Sequence, residues 1–275
     1  MSQETTLIIG AGGKTGARVN ARLKARGVAT RAVSRSTEVP FDWERPETWA
    51  PALDGVARAY VTYQPDIAME GGAEAIARLA VLARQAGLKQ FVLLSGRGEP
   101  AAQFAEAELQ ASGLPWTIVR ASWFNQNFSE GHLLESVLAG EIALPAGPVP
   151  EPFTDVDDIA DVAAAALTDE RHINKLYEVT GPRALTFAEA AAEISEAVGR
   201  PIRYRQVSAD EFAESMAPYQ PREIIDFLIE LCTVVLDGRN TPVKHGVEQA
   251  LGRPARDFSD YVRAAAATGV WEARQ

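Results

Sequence analysis

The stretch Gly10-Ala11-Gly12-Gly13-Lys14-Thr15-Gly16 has the residue types and spacing to cradle a phosphate. A glycine at 10 permits a tight turn, one at 12 or 13 lets the backbone approach a pyrophosphate, and one at 16 allows close helix–strand packing. A helix beginning here adds free N–H groups and a partial positive charge. That is the chemistry of dinucleotide binding, with a merely structural turn as the bland alternative. Gly13-Lys14-Thr15 also invites an NTPase phosphate loop, but that motif requires a glycine at position 8, which is Ile8. The apolar run at 91–94 ends in Ser95, with no Asp for magnesium. A site selective for NAD carries Asp or Glu about 20 residues past the loop, on the ribose 2′-hydroxyl. Here that place holds Ser34-Arg35-Ser36. A guanidinium flanked by hydroxyls suits a 2′-phosphate, so the residues favour NADP(H) over NAD(H). The bland alternative for Arg35 is a solvated surface arginine.

A strand must deliver that loop and a helix must leave it. Residues 6–9 are a short β-branched apolar run, and 15–26 carry helix formers with Val19 and Leu23 four apart. Further strands are expected at 28–33, 57–61, 91–94 and 116–119. Helices fall between them, one with Ile76, Leu79, Ala80 and Ala83 at helical spacing and one over 101–111. Solidly apolar strands alternating with helices imply a parallel sheet covered on both faces, hence a doubly wound α/β fold. Past 120 the pattern is less regular. A helical stretch is expected over 125–140, a Pro/Gly loop over 145–152 and a strand over 176–180. Asp158 reads as the cap of a helix that turns Ile159, Val162, Ala163 and Ala166 to one face. Thr186/Glu189 and Ser208/Glu211 have capping-box spacing. Ile224, Phe227, Leu228 and Leu231 read as a core stripe, with a lid or a homodimer face as the alternative.

The 275 residues are 47% apolar, enough for a sizeable core. A net charge of -10 disfavours nucleic-acid binding. Cys232 is the single cysteine, and His132, His172 and His245 stand far apart, so no metal-ligand spacing arises. Asp155, Asp157 and Asp158 fit the acidic first turn of a helix better than a metal site. The polar 1–6 stretch shows no leader, and no apolar run approaches the roughly 20 residues of a membrane helix. A cytoplasmic protein without membrane association is expected.

Several longer segments carry a resemblance. They are GAGGKTG at 10–16, AVSRS at 32–36, FDW at 41–43, FVLLSGRG at 91–98 and SGLPWTIVRASWFNQNFSEG at 112–131. EPFTDVDDIADVA at 151–163 and YEVTGPRALTFAEAA at 177–191 extend it over nearly the whole chain. The sequence resembles the NmrA-like branch of the atypical short-chain dehydrogenase/reductases, the bacterial relatives of ergot-alkaloid (agroclavine-type) dehydrogenases among them. The resemblance implies a Rossmann domain over 1–150, with 151–182 partly returning to it. It implies a smaller, mostly helical substrate or lid domain over 183–275, with substrate bound in the cleft. It implies that Asp42, Ser95 and Gly96 lie along the cofactor and Arg120, Ala121 and Ser122 near the nicotinamide. Trp123, Phe124, Asn127 and Phe153 would wall the substrate side.

One departure selects among activities. Ordinary short-chain dehydrogenases use a Tyr-x3-Lys pair, the tyrosine acting as general acid. Residues 100–104 here are PAAQF, and no Tyr or Lys occurs from Phe91 to Arg120. Losing the acid should cost carbonyl reduction about 10²–10⁴-fold. Reduction of an iminium or other cationic acceptor gives a neutral product and needs orientation rather than an acid. Without a His base, Ser95 is no hydrolase nucleophile; it reads as a hydrogen-bond donor, with plain strand termination as the equal alternative. The favoured reading is an NADPH-dependent oxidoreductase acting on an activated, aromatic, iminium-, quinone- or cation-like small molecule. A non-catalytic NADP(H)-binding redox sensor is the alternative.

Overall fold

The computed structural model describes residues 4–272, so residues 1–3 of the polar opening lie outside it. In chain order the elements are β1 (Thr5–Ile9), α1 (Lys14–Ala25), β2 (Ala29–Val33), α2 (Trp49–Leu53), β3 (Val56–Val61) and α3 (Gly72–Gln85). Then come β4 (Gln90–Gly96), α4 (Pro100–Ala111), β5 (Trp116–Ala121), α5 (Asn127–Glu130), α6 (Leu134–Ala139), β6 (Glu141–Leu144) and α7 (Val156–Ala166). The rest are β7 (Lys175–Val179), α8 (Phe187–Val198), β8 (Arg203–Gln206), α9 (Ala209–Met216), α10 (Arg222–Glu230), α11 (Gly246–Leu251) and α12 (Phe258–Ala267).

The chain resolves into two compact units. The first comprises Met1–Ala121, Val156–Val179 and His245–Pro254. The second comprises Ser122–Asp155, Thr180–Lys244 and Ala255–Gln275. Residues 122–155, carried with the first domain in the sequence reading, thus group with the second unit. The reason is packing: Phe128, Leu133, Val137, Ile142 and Phe153 share one core with Phe187, Ile194, Phe258 and Trp271.

In the first unit six strands lie in the order β2-β1-β3-β4-β5-β7, every neighbouring pair parallel. This is the expected doubly wound sheet. The order turns back between β1 and β3, which opens a crevice at the carboxyl edge there. Leu7, Ile9, Ala59, Val61, Phe91, Leu93 and Ile118 pack against Ile76 and Leu79 of α3 and Ala102, Ala105 and Leu109 of α4. Alternation turns Ile8, Tyr60, Val92 and Val119, all fully buried, to the opposite face. Charge ties α1 to α7. Arg22 pairs with Asp157 at 2.6 Å and with Asp161, and Arg253 reaches Asp158 at 2.8 Å and Asp161 at 2.6 Å. Asp158 is therefore not the cap expected. The helix starts at Val156, which places Asp158 in its first turn, buried against a guanidinium. Among the described residues no group of three or more His, Cys, Asp or Glu could hold a metal ion.

The second unit is mostly helical, with β6 and β8 paired in a two-stranded parallel sheet. The single helix expected over 125–140 is two, α5 and α6, separated by Gly131. A Cβ at Gly131 would stand 3.0 Å from the Asn127 Cα. The 224–231 stripe needs correction. Ile224, Phe227, Leu228 and Leu231 are only half-buried, and the core position on α10 is Ile225 at 2% exposure. The helix runs on into a π-turn over Leu231–Val235, which rotates Cys232 into the core in place of Leu231. Among the described residues no helix is long and apolar enough to cross a membrane.

Candidate functional site

The carboxyl edge of the first unit's sheet gathers most of the residues singled out above. Gly10 has φ +78, and a Cβ there would strike the Thr62 Cγ2 at 2.2 Å, so only glycine makes this turn. A Cβ at Gly16 would lie 2.2 Å from the Gly10 carbonyl oxygen, because α1 is packed hard against the end of β1. Gly13 bonds back to the Gly10 carbonyl at 2.9 Å and caps α1 with no side-chain hydrogen bond. Gly12 differs from the others: a Cβ there meets nothing within 4 Å. Its side faces open space beside a helix N-terminus without acidic residues in its first turn. That open cradle, next to Lys14 and the buried Thr15, fits a pyrophosphate.

After β2, a turn holds Ser34. Its carbonyl accepts from the Thr37 hydroxyl at 2.9 Å and from the Phe41 N–H at 3.0 Å. The Ser34 and Ser36 hydroxyls are 3.2 Å apart. Arg35 is exposed and makes no ion pair among the described residues. This is a hydroxyl pair with a free guanidinium, the donor set a 2′-phosphate requires. Asp42 is fixed by its backbone. Its N–H donates to the Thr48 hydroxyl at 3.0 Å, and its carbonyl accepts from the Trp49 indole at 2.7 Å. The neighbouring Trp43 packs on Tyr63, which follows β3, with ring centroids 4.8 Å apart.

Ser95 and Gly96 end β4. Ser95 is 3% exposed, and its hydroxyl has no hydrogen-bond partner among the described residues. It aligns with Arg120 on β5, and Gly96 aligns with Ala121. A Cβ at Gly96 would fall 1.9 Å from a Glu99 carboxylate oxygen, so the Glu99 side chain lies folded over the end of β4. The helix that follows, α4, carries Gln103 and Phe104 on its exposed side and no phenol or amine. Its buried side brings a residue the spacing arguments missed. Glu106, 2% exposed, accepts from the Arg120 Nε at 2.9 Å and from its Nη2. The available signal was a charged residue inside the apolar Ala102–Ala105–Leu109 stripe.

The second unit holds the residues expected on the substrate side. Ser122 is buried. Trp123 is half-buried and meets Phe187 edge-on with centroids 5.3 Å apart; Phe124 and Asn127 are also half-buried. Phe153 is 2% exposed, 5.1 Å from Phe187 and 5.7 Å from both Phe128 and Phe258, and serves as core within this unit. Sequence reasoning also missed Asn125, which is wholly buried. Neither amide atom of Asn125 has a hydrogen-bond partner among the described residues. Beside it, the Gln126 amide donates to Asp155 at 2.9 Å. His132 is exposed, His245 sits 3.7 Å from Glu248 on the surface, and the buried His172 bonds the Tyr177 hydroxyl at 2.8 Å.

The model of the NmrA-like family matches residues 104–261, more than half of the chain. The chain is 34% identical over 261 residues to an NAD(P)H azoreductase of Xenophilus azovorans, covering 89% of this chain and 85% of the relative. This chain belongs to the NmrA-like family. It is also 29% identical to agroclavine dehydrogenase of Claviceps fusiformis, over 94% of this chain and 96% of that one. Among solved structures it shares the fold of a Citrobacter sp. triphenylmethane reductase complexed with NADP(H). There the TM-score is 0.80 at 21% identity, over 95% of this chain and 99% of the other.

Proposed function

We propose that this chain is a cytoplasmic NADPH-dependent reductase of small, activated, aromatic acceptors that are iminium-, quinone- or cation-like. The observation that carries the reading is α4. It follows Ser95, where a Tyr-Lys pair would serve carbonyl reduction, and it presents neither residue. The open Gly12 cradle and the unpaired Arg35 support the cofactor. So do the names of the relatives, an azoreductase and a dehydrogenase.

When bound, NADPH supplies a hydride. The chain's own residues have three tasks. The α1 terminus with Gly12, Gly13, Lys14 and Thr15 holds the pyrophosphate, while Ser34, Arg35 and Ser36 hold the 2′-phosphate. Ser95 donates a hydrogen bond to a polarised acceptor atom. Trp123, Phe124 and Asn127 flank an aromatic acceptor and orient it. A cationic acceptor becomes neutral on accepting hydride, so no residue must deliver a proton. A quinone yields a delocalised phenolate, which takes its proton from water.

The test is loss of the reduced-nicotinamide absorbance with a panel of iminium, quinone and triarylmethane acceptors, alongside a binding titration. Turnover of at least one acceptor is expected. Tight NADPH binding with no turnover across the panel would favour the redox-sensor reading, and failure to bind NADPH would overturn both.

A further inference from the structure

Ser95, Arg120 and Glu178 stand side by side across β4, β5 and β7. They share the face that Phe91, Leu93 and Ile118 turn toward α3 and α4, because each lies an even number of residues from one of these or from Leu176 on its own strand. Four charges meet on this face. Glu106 of α4 grips the Arg120 guanidinium through both carboxylate oxygens. On the other side, Arg120 Nη1 lies 3.8 Å and Arg97 Nε 3.4 Å from one oxygen of Glu178. The side chains of Arg97 and Glu106 are 4% and 3% exposed.

Burying Arg97 and Glu106 within a partly exposed network with Arg120 and Glu178 is a poor way to gain stability, since apolar side chains of similar volume serve as well. What the fork provides is fixed geometry. Arg97 shows what is being fixed. Its backbone N–H bonds the Ala121 carbonyl at 3.0 Å, extending the β4–β5 ladder past Gly96, while its side chain reaches Glu178 on β7. The ends of three strands are therefore tied together where Ser95 sits. The Ser95 hydroxyl itself has no partner among the described residues, so only the strand ends set its position.

We propose that Arg120, clamped by Glu106 and Glu178, is a positioning residue that fixes Ser95 and the ends of β4 and β5 for reduction of the acceptor. The inference rests on the reductase reading above. Arg120 does not touch the proton inventory; it acts through alignment, where small displacements are costly to rate.

Glu106→Gln and Arg120→Lys test it in the intact chain. Each should lower kcat about tenfold or more and leave the NADPH dissociation constant within about threefold. The deuterium isotope effect, with deuterium at the transferred position, should rise as hydride transfer becomes limiting. Loss in Arg120→Lys separates the fork from charge alone. A merely structural role would lower the melting temperature and leave kcat and the isotope effect at wild-type values, and that result overturns the proposal. Should Glu106→Gln fail to fold, Glu178→Gln carries the same readouts at the half-exposed end of the network. A wild type that reduces no acceptor overturns the reductase reading and this proposal with it. A wild type that turns over and variants that match it overturn only the proposal.

Discussion

At the residue scale, the glycines of the first loop separate folding from binding. Gly16 has no room for a methyl group, since its Cβ would press on the Gly10 backbone at 2.2 Å. Gly16→Ala should therefore destabilise the first unit by about 1–3 kcal/mol, read as a lower melting temperature without ligand. At Gly12 the added side chain meets no protein atom within 4 Å. Gly12→Val should keep the wild-type melting temperature and lose NADPH and NADH binding together. A Gly12→Val protein that titrates normally would mean that the cradle is only a turn. On the proposed reading, Arg35 decides between the cofactors. A charge-assisted contact to phosphate contributes about 1.5–3 kcal/mol, or roughly 10- to 150-fold. Arg35→Ala should weaken NADPH by that factor and leave NADH nearly unchanged, as isothermal titration would show. Equal wild-type affinities for the two cofactors would remove Arg35 from the site. The glycines and Arg35 could be singled out in the sequence because loop chemistry is local. It hid Glu106 and Asn125, whose interest lies in burial, and burial depends on neighbours distant in the chain.

At the element scale, legibility followed the number of buried faces. Strands β1, β3, β4 and β5 are largely buried and read as mostly apolar runs, Arg58 in β3 and Arg120 in β5 being the charged interruptions. By contrast β6 and β8 were invisible: each has four residues, and β8 exposes Arg203, Arg205 and Gln206. The 224–231 stripe misled because helical spacing fixes which residues share a face but not how deeply that face is buried. Capping chemistry was more faithful. Thr186 and Glu189 form the full reciprocal box at the start of α8. Glu211 completes only half of its own, since its carboxylate pairs with Arg205 at 2.6 Å. The start of α12 carries an ionic counterpart that can be tested by pH. Arg183 donates to both oxygens of Asp257 at 2.8 Å and to both of Glu193, and the Arg183 bonds hold the Asp257 carboxyl well below the usual carboxylate range. A depressed folded-state pKa stabilises above the unfolded value near ~3.9, and that stability is lost as pH falls toward the folded value. Asp257→Asn keeps an oxygen for the Ser259 N–H and loses the charge. It should cost about 1 kcal/mol at pH 7, solvent screening included, and the difference should narrow progressively as pH falls below about 4 in paired thermal melts. A gap that persists into acid would place the cost in packing instead.

At the scale of the whole molecule, the decisive question is where a proton could come from if one were needed. The chain has six tyrosines. Tyr60 is wholly buried in the first unit, and burial raises its pKa far above the ordinary phenol value. Tyr177 is bonded to His172 at 2.8 Å, and Tyr261 donates to the Ser129 hydroxyl at 2.8 Å. Tyr204 donates to the Ala146 carbonyl, and burial pushes its pKa up to about 12. Tyr219 is 78% exposed on the second unit. That leaves Tyr63, half-buried at the carboxyl edge of the sheet, whose pKa burial also raises. Arg120 and Arg97 cannot substitute, because a guanidinium does not release its proton. A reductase with this inventory should be indifferent to proton supply. With a permanently cationic acceptor, kcat should show no limb near the pKa of about 10 of a free tyrosine. Tyr63→Phe should leave that turnover within about twofold, and simple ketones and aldehydes should remain poor substrates, slower by about 10²-fold or more. The net charge of -10 adds a second signature. Cationic acceptors should be steered in, so their kcat/KM should fall as salt rises while that of a neutral quinone stays flat. Fast, stereospecific ketone reduction abolished by Tyr63→Phe would contradict this account, because it would show that a phenol from the loop after β3 had replaced the one α4 lacks.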